Sequence, residues 1–159
     1  MANFVFNRGL GRGTEWAERV NANDPAASEI VIAVLATSGV ESDAVLRDKD
    51  TFSDIVSGAT NEVTNSGYTK KVLDNTSSIT VTYDDTNDRV DVDFPDQTWT
   101  AVAAGDGWND IVVLYDPVGS QTATDMLPHT LHDFVVTPDG SDITAQVATA
   151  GYFRATSAT

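Results

Sequence analysis

Two short segments alternate strictly, with a turn between them. Ile79, Val81 and Tyr83 are separated by Thr80 and Thr82, and Val90, Val92 and Phe94 by Asp91 and Asp93. Asp84-Asp85-Thr86-Asn87-Asp88 joins the two. Alternate residues of a strand point to opposite faces, so the stretch predicts a hairpin with one apolar face and one Thr/Asp face. At helical spacing the same apolar residues would spread round the axis and form no stripe. An isolated two-stranded hairpin is marginal in water, so this one requires an opposing layer. All six apolar side chains are expected in that core.

The rest of the chain supplies candidates for the layer. Glu29 to Thr37 is rich in Ile and Val and predicts a buried central strand, ended by Ser38-Gly39. Ile111 to Tyr115 predicts a second core strand, and Thr98 to Val102 a third. Asp139-Gly140 lies between Phe134-Val135-Val136 and Ile143 to Val147, which predicts a second hairpin. Tyr152-Phe153 predicts a last short strand, and Gly119 to Asp125 a polar loop. Thr51, followed by Asp54, is a cap signal for a short helix from Thr51 to Ser57. Thr14 to Val20 fits two forms: a helix capped by Thr14, or a strand with Trp16, Glu18 and Val20 on one side. The sum is a mainly β protein, a β-sandwich or barrel-like domain with one or two short helices. With 159 residues and no linker or repeat, one domain is expected.

Composition agrees. There are 19 Asp against 5 Glu, and 20 Thr. Asp favours turns over helices, and Thr favours strands. The net charge is -15, and from Asp74 to Asp142 there are 14 Asp and one base, Arg89. Such a surface repels phosphate backbones and anionic lipid, so neither nucleic acid nor a membrane is an expected partner. No apolar run approaches a membrane span; the longest is Ile30 to Ala36. The first residues lack the apolar stretch and cleavage pattern of a secretory signal.

The first 13 residues differ in kind. They carry Arg8 and Arg12, no acid, and Gly9, Gly11 and Gly13. This predicts a flexible, basic, Gly-rich arm at 1–13, a β-rich domain at 14–155 and a tail at 156–159. Phe4 and Phe6 give the arm an apolar tip, which a solvated tail has no reason to keep. The arm is therefore expected to dock on a partner, through Phe4 and Phe6 by burial and Arg8 and Arg12 by pairing with carboxylates. Tyr152 and Phe153 are further candidate contacts.

No constellation for chemistry stands out. His129 and His132 are three apart, which on a regular strand sends them to opposite faces and argues against joint metal ligation. The sequence has no G-x-S-x-G elbow. The Asp84 to Asp88 cluster lacks the central Gly and closing Glu of a calcium loop. Arg8 to Gly13 lacks the Lys of a phosphate loop. With no cysteine there is no disulfide, thiolate site or Cys nucleophile. No catalytic residue, cofactor or metal is assigned, and an enzyme is not expected.

Several phrases taken together carry a resemblance. They are Val5-Phe6-Asn7 with Gly11-Arg12, Asn23-Asp24-Pro25, Leu46-Arg47-Asp48 to Asp50-Thr51, and Lys71-Val72-Leu73. Asp84 to Asp93, Asp96-Gln97-Thr98-Trp99-Thr100, His132-Asp133-Phe134, Thr137 to Asp142 and Gly151 to Ala155 follow in order. In these the chain resembles small virion structural proteins of tailed phages that infect actinobacteria. The resemblance implies a non-enzymatic virion component, foremost a capsid decoration or cement protein on the capsid exterior. Its implied partner is the major capsid protein or another virion protein, and it is expected to be a homo-oligomer. The alternative is a tail or head–tail connector component, or a host-surface-binding β module.

Overall fold

The structure is a computed structural model that describes residues 2–157. It is mainly β, with ten strands in three antiparallel sheets and three helices among the described residues. The largest sheet is built on β2 (Glu29–Ala36), β7 (Trp108–Asp116) and β8 (Leu127–Val136). Two short edge strands complete it: β1 (Phe4–Val5) beside β8, and β3 (Lys71–Leu73) beside β2. The order β1-β8-β7-β2-β3 is open, so the sheet is not closed into a barrel.

All eight residues of β2 are buried, because both faces of this sheet are covered. Ile30, Ile32, Val34 and Ala36 join Ile111, Val113 and Tyr115 on one face; Val31, Ala33 and Leu35 join Val112 and Leu114 on the other. The first face packs under α1 (Gly13–Ala22) and the two smaller sheets. One small sheet holds β4 (Thr80–Asp84), β5 (Arg89–Asp93) and β10 (Phe153–Thr156), with β5 in the middle. The other pairs β6 (Gln97–Trp99) with β9 (Ile143–Ala145). This arrangement is sandwich-like. The second face is closed by Phe6, Met126, α2 (Asp43–Leu46) and α3 (Phe52–Val56).

The local reasons are visible in the helices. α1 buries Trp16, Ala17 and Val20, a helical stripe, while Glu15 and Arg19 pair at 2.9 Å on the wet side. The helical form of this segment is thus the one adopted, although it starts before Thr14 and Thr14 does not cap it. Asn23, in the left-handed region, ends it. α3 starts at the expected cap: Thr51 Oγ1 accepts from Asp54 N–H, and Asp54 Oδ2 accepts from Thr51 N–H. The single turn of α2, a third helix, has no stripe in the sequence to announce it.

Four expectations need correction. The 79–94 hairpin forms, with Val81 opposite Val92 and Tyr83 opposite Val90, but Tyr83 is 62% exposed. Its hydroxyl instead donates to Glu18 on the exposed side of α1. Asp139-Gly140 does not close a hairpin: β8 pairs with β7, and β9 with β6. The turn instead carries the chain from one sheet to another, and Gly140 N–H donates to Val102 O at 2.8 Å. The expected flexible arm contains β1, paired with Leu131 and Thr130, and a 3-10 turn at Asn7–Gly9. The expected tail begins inside β10, and Ser157 N–H donates to Asp88 O; Ala158 and Thr159 lie outside the described residues.

Candidate functional site

β8 is the element around which the unusual side chains gather. Between Val113 and Leu114 the register to β7 shifts: Thr130 faces Val113 and Pro128 faces Leu114, leaving His129 without an opposite number. The bulge breaks the alternation on which the opposite-face expectation for His129 and His132 rested. Both rings now approach Tyr152, with centroids 5.6 and 6.5 Å away. His132 Nε2 pairs with Thr130 Oγ1 at 2.8 Å.

His129 is wholly buried, and neither ring nitrogen has a hydrogen-bond partner. Trp16, Tyr152 and Phe153 surround the imidazole, with centroids 5.6, 5.6 and 4.8 Å away. Gly9 and Gly13 close the remaining sides. A Cβ at Gly9 would lie 2.9 Å from His129 Cα, and one at Gly13 would lie 2.5 Å from Nε2. Burial, and to a lesser degree the neighbouring His132, push the His129 pKa down to about 3. Burial also lowers that of His132. His129 is therefore a neutral packing element at ordinary pH. The Tyr152 hydroxyl beside it is also buried and unpartnered, and burial raises its pKa.

Next to this cluster a cleft of about 320 Å³ opens between the large sheet and the β6–β9 pair. Ile32, Ile111, Val113, His132 and Phe134 form one wall, and Phe94, Gln97 and the 145–148 segment the other. Asn3 and Asp133 stand on its rim. Its lining contains no Lys or Arg. Among the described residues, no group of three or more His, Cys, Asp or Glu side chains could hold a metal ion.

The six candidate contact residues do not form one surface. Phe6 is fully buried in the chain's own second core, and its N–H donates to His129 O at 2.9 Å. Tyr152 is 9% exposed and packs on Phe94 at 4.7 Å. Both are consumed inside this chain, which corrects their expected role toward a partner. The reason is burial: a large apolar ring within reach of its own core gains most by entering it. Phe4 is half-buried on the Phe6 ring, under the Arg47 guanidinium at 4.8 Å. Phe153 is half-buried on His129. Arg8 and Arg12 are exposed, and Arg12 already lies 3.6 Å from Glu15 of its own chain. The N-terminal segment and the C-terminal aromatic pair meet each other across His129. Sequence reasoning missed that junction and the cleft, because the first depends on the bulge in β8 and the second on how the large sheet meets the β6–β9 pair.

The carboxylates also have a use that their number conceals. Asp74, Asp84, Asp116 and Asp139 each accept backbone N–H groups two to five residues ahead of themselves. Asp106, Asp142 and Asp96 reach farther and hold Thr64, Ala101 and Val147. The short Asp side chain can reach these amides where Glu overshoots, which gives these seven Asp a structural use.

No protein-family model matches the chain, and no curated protein or solved structure matches it.

Proposed function

We propose that this protein is a non-enzymatic structural component of a phage virion, a decoration or cement protein bound to the exterior of the capsid shell. The observation that carries the proposal is how the acidic groups are employed. Seven aspartates pin loops individually, and among the described residues no group of three or more His, Cys, Asp or Glu could hold a metal ion. A frame of pinned acidic loops suits a coat: it holds its shape and keeps particles mutually repulsive. The resemblance in sequence phrases supports the same reading. The accessible ridge Arg8-Leu10-Arg12, with Leu10 61% exposed, is the part proposed to touch the shell or a second copy of the chain. Its charge opposes that of the body, and symmetric shell positions favour a homo-oligomer.

Imaging of intact particles tests the proposal. Density for this chain at many copies across the shell is the expected outcome; a single ring at the portal or tail would favour a connector or tail component instead. The matching variant is Arg8→Glu with Arg12→Glu, because removing 2–13 would also strip Phe6 and Gly13 from the core. The charge-reversed protein should fold normally and lose most of its particle binding. Undiminished binding would rule out the ridge.

A further inference from the structure

Three carboxyl groups stand in one row across the large sheet. Glu29 of β2 lies directly opposite Asp116 of β7. Leu73 of β3 lies opposite Ile30, so Asp74, the next residue, continues the row on the other side of Glu29. Directly opposite residues share a face, with side chains within reach of one another. Glu29 is 7% exposed and Asp116 is fully buried, while Asp74 is exposed. Glu29 Oε1 is buried without a hydrogen-bond partner. The charged groups that act on Glu29 are Asp116 and Asp74, with no Lys, Arg or His among them.

Asp116 is committed elsewhere. Its Oδ1 accepts the Val118 and Gly119 N–H groups at 2.9 and 3.0 Å, and its Oδ2 accepts the Gln121 N–H at 2.6 Å. Among the described residues no backbone-to-backbone bond holds 117–121, so the first half of the loop rests on this carboxylate. The second half is tied separately: Ala123 O and Met126 O accept the Ser53 and Phe52 N–H groups of α3. Three donors require the acceptor-only, charged form of Asp116. The Gln121 side chain approaches Glu29 as a donor, so both carboxyls converge on one residue of the loop. Burial, with smaller pushes from Asp116 and Asp74, raises the Glu29 pKa against that donor. One proton relieves the row, and Glu29 is the member with an oxygen to spare for it.

We propose that Glu29 is a proton-operated clamp on residues 117–121: neutral, it leaves Asp116 to hold the three amides; ionised, it repels Asp116 and loosens them. The segment so controlled presents Val118, 57% exposed. By linkage, the closed loop keeps its full hold below the ordinary Glu value of about 4.3 and loses it as pH rises through the raised folded value. Lower pH therefore tightens this loop.

NMR on the full chain tests the clamp, and its outcome does not bear on the virion reading. The Glu29 carboxyl carbon, assigned by its loss in Glu29→Gln, should titrate above about 4.3. Hydrogen exchange of the Val118, Gly119 and Gln121 amides, corrected for intrinsic rate, should quicken across the same midpoint. The expected change is about tenfold for each pH unit by which that midpoint exceeds the ordinary value. The Phe52 and Ser53 amides should not follow. Glu29→Gln keeps the size and the neutral state, and should leave the three amides protected across the whole range. Asp74→Asn removes an exposed like charge and should lower the midpoint while the step remains. An ordinary Glu29 midpoint, loop amides indifferent to it, or the same step in Glu29→Gln would overturn the proposal.

Discussion

The two faces of the large sheet are made differently. The second face is mostly aliphatic: Val31, Ala33, Leu35, Leu46, Ile55, Val112, Leu114, Met126 and Leu131, with Phe6 and Phe52, while the buried carboxyls Glu29, Asp110 and Asp116 share its strand parity. The first is aromatic and polar in places. Trp99 and Trp108 meet edge to face at 5.1 Å, Trp16 stacks on Tyr115 at 5.1 Å, and Trp108 Nε1 donates to buried Asn65 Oδ1 at 3.1 Å. The unpaired His129 nitrogens, the unpaired Tyr152 hydroxyl and the cleft all lie on this side. A face closed by helices and loops from its own neighbourhood can collapse to uniform packing. A face closed by two separate small sheets leaves a seam, and the seam is where the cleft opens.

The contrast can be broken most forcefully by truncating one large ring on each side. Trp108→Ala and Phe52→Ala should each cost about 3–5 kcal/mol in urea unfolding. Trp108 should cost more, because its loss also strands the Asn65 acceptor. A larger cost at Phe52 would contradict the difference drawn between the faces.

On the first face acid should act through His129. The folded His129 pKa of about 3 lies below its unfolded value near 6.5. Between these values the unfolded chain binds the extra proton, so stability falls as pH drops through that window and levels off beneath it. At about 1.4 kcal/mol per pH unit the whole effect is several kcal/mol. His129→Leu should flatten the dependence of the urea midpoint between pH 7 and pH 4. An unchanged slope would show that the imidazole is hydrated in solution.

Smaller effects sharpen the picture. Gly13→Ala forces a methyl to within 2.5 Å of His129 Nε2 and 2.7 Å of Phe153, and should cost about 1–3 kcal/mol. Wild-type stability in that variant would mean the glycine cage is loose. Thr51→Ala removes the cap of α3 on the second face and should cost about 1 kcal/mol, with no change in the acid profile. A change in that profile would show that the two faces are coupled.

Much of the local structure was legible along the chain. The Thr80–Asp93 hairpin, the buried β2, the capped α3 and the polar loop before β8 follow from periodicity, β-branching and turn chemistry, all of which act over a few residues. What local pattern could not supply is which strand pairs with which. Asp139-Gly140 has the chemistry of a hairpin turn, yet Ile143 to Ala145 finds β6, more than forty residues away, because Trp99 must enter the core beside Trp108. The N-terminal segment reads as a free arm by charge and glycine content. Its fate depends on β8 offering an edge to Phe4 and Val5 and a cavity to Phe6. Gly9 and Gly13 are spacers against a histidine 116 or more residues distant. The His129 cage depends on a register shift between β7 and β8, a feature of pairing between strands that neither strand encodes alone. The sequence by itself determined a mainly β chain with acidic, Asp-pinned turns, since strand alternation and Asx chemistry are local. Only the tertiary structure decided where the seam fell and which aromatic rings were sealed inside, because those follow from long-range burial competing for the same apolar residues.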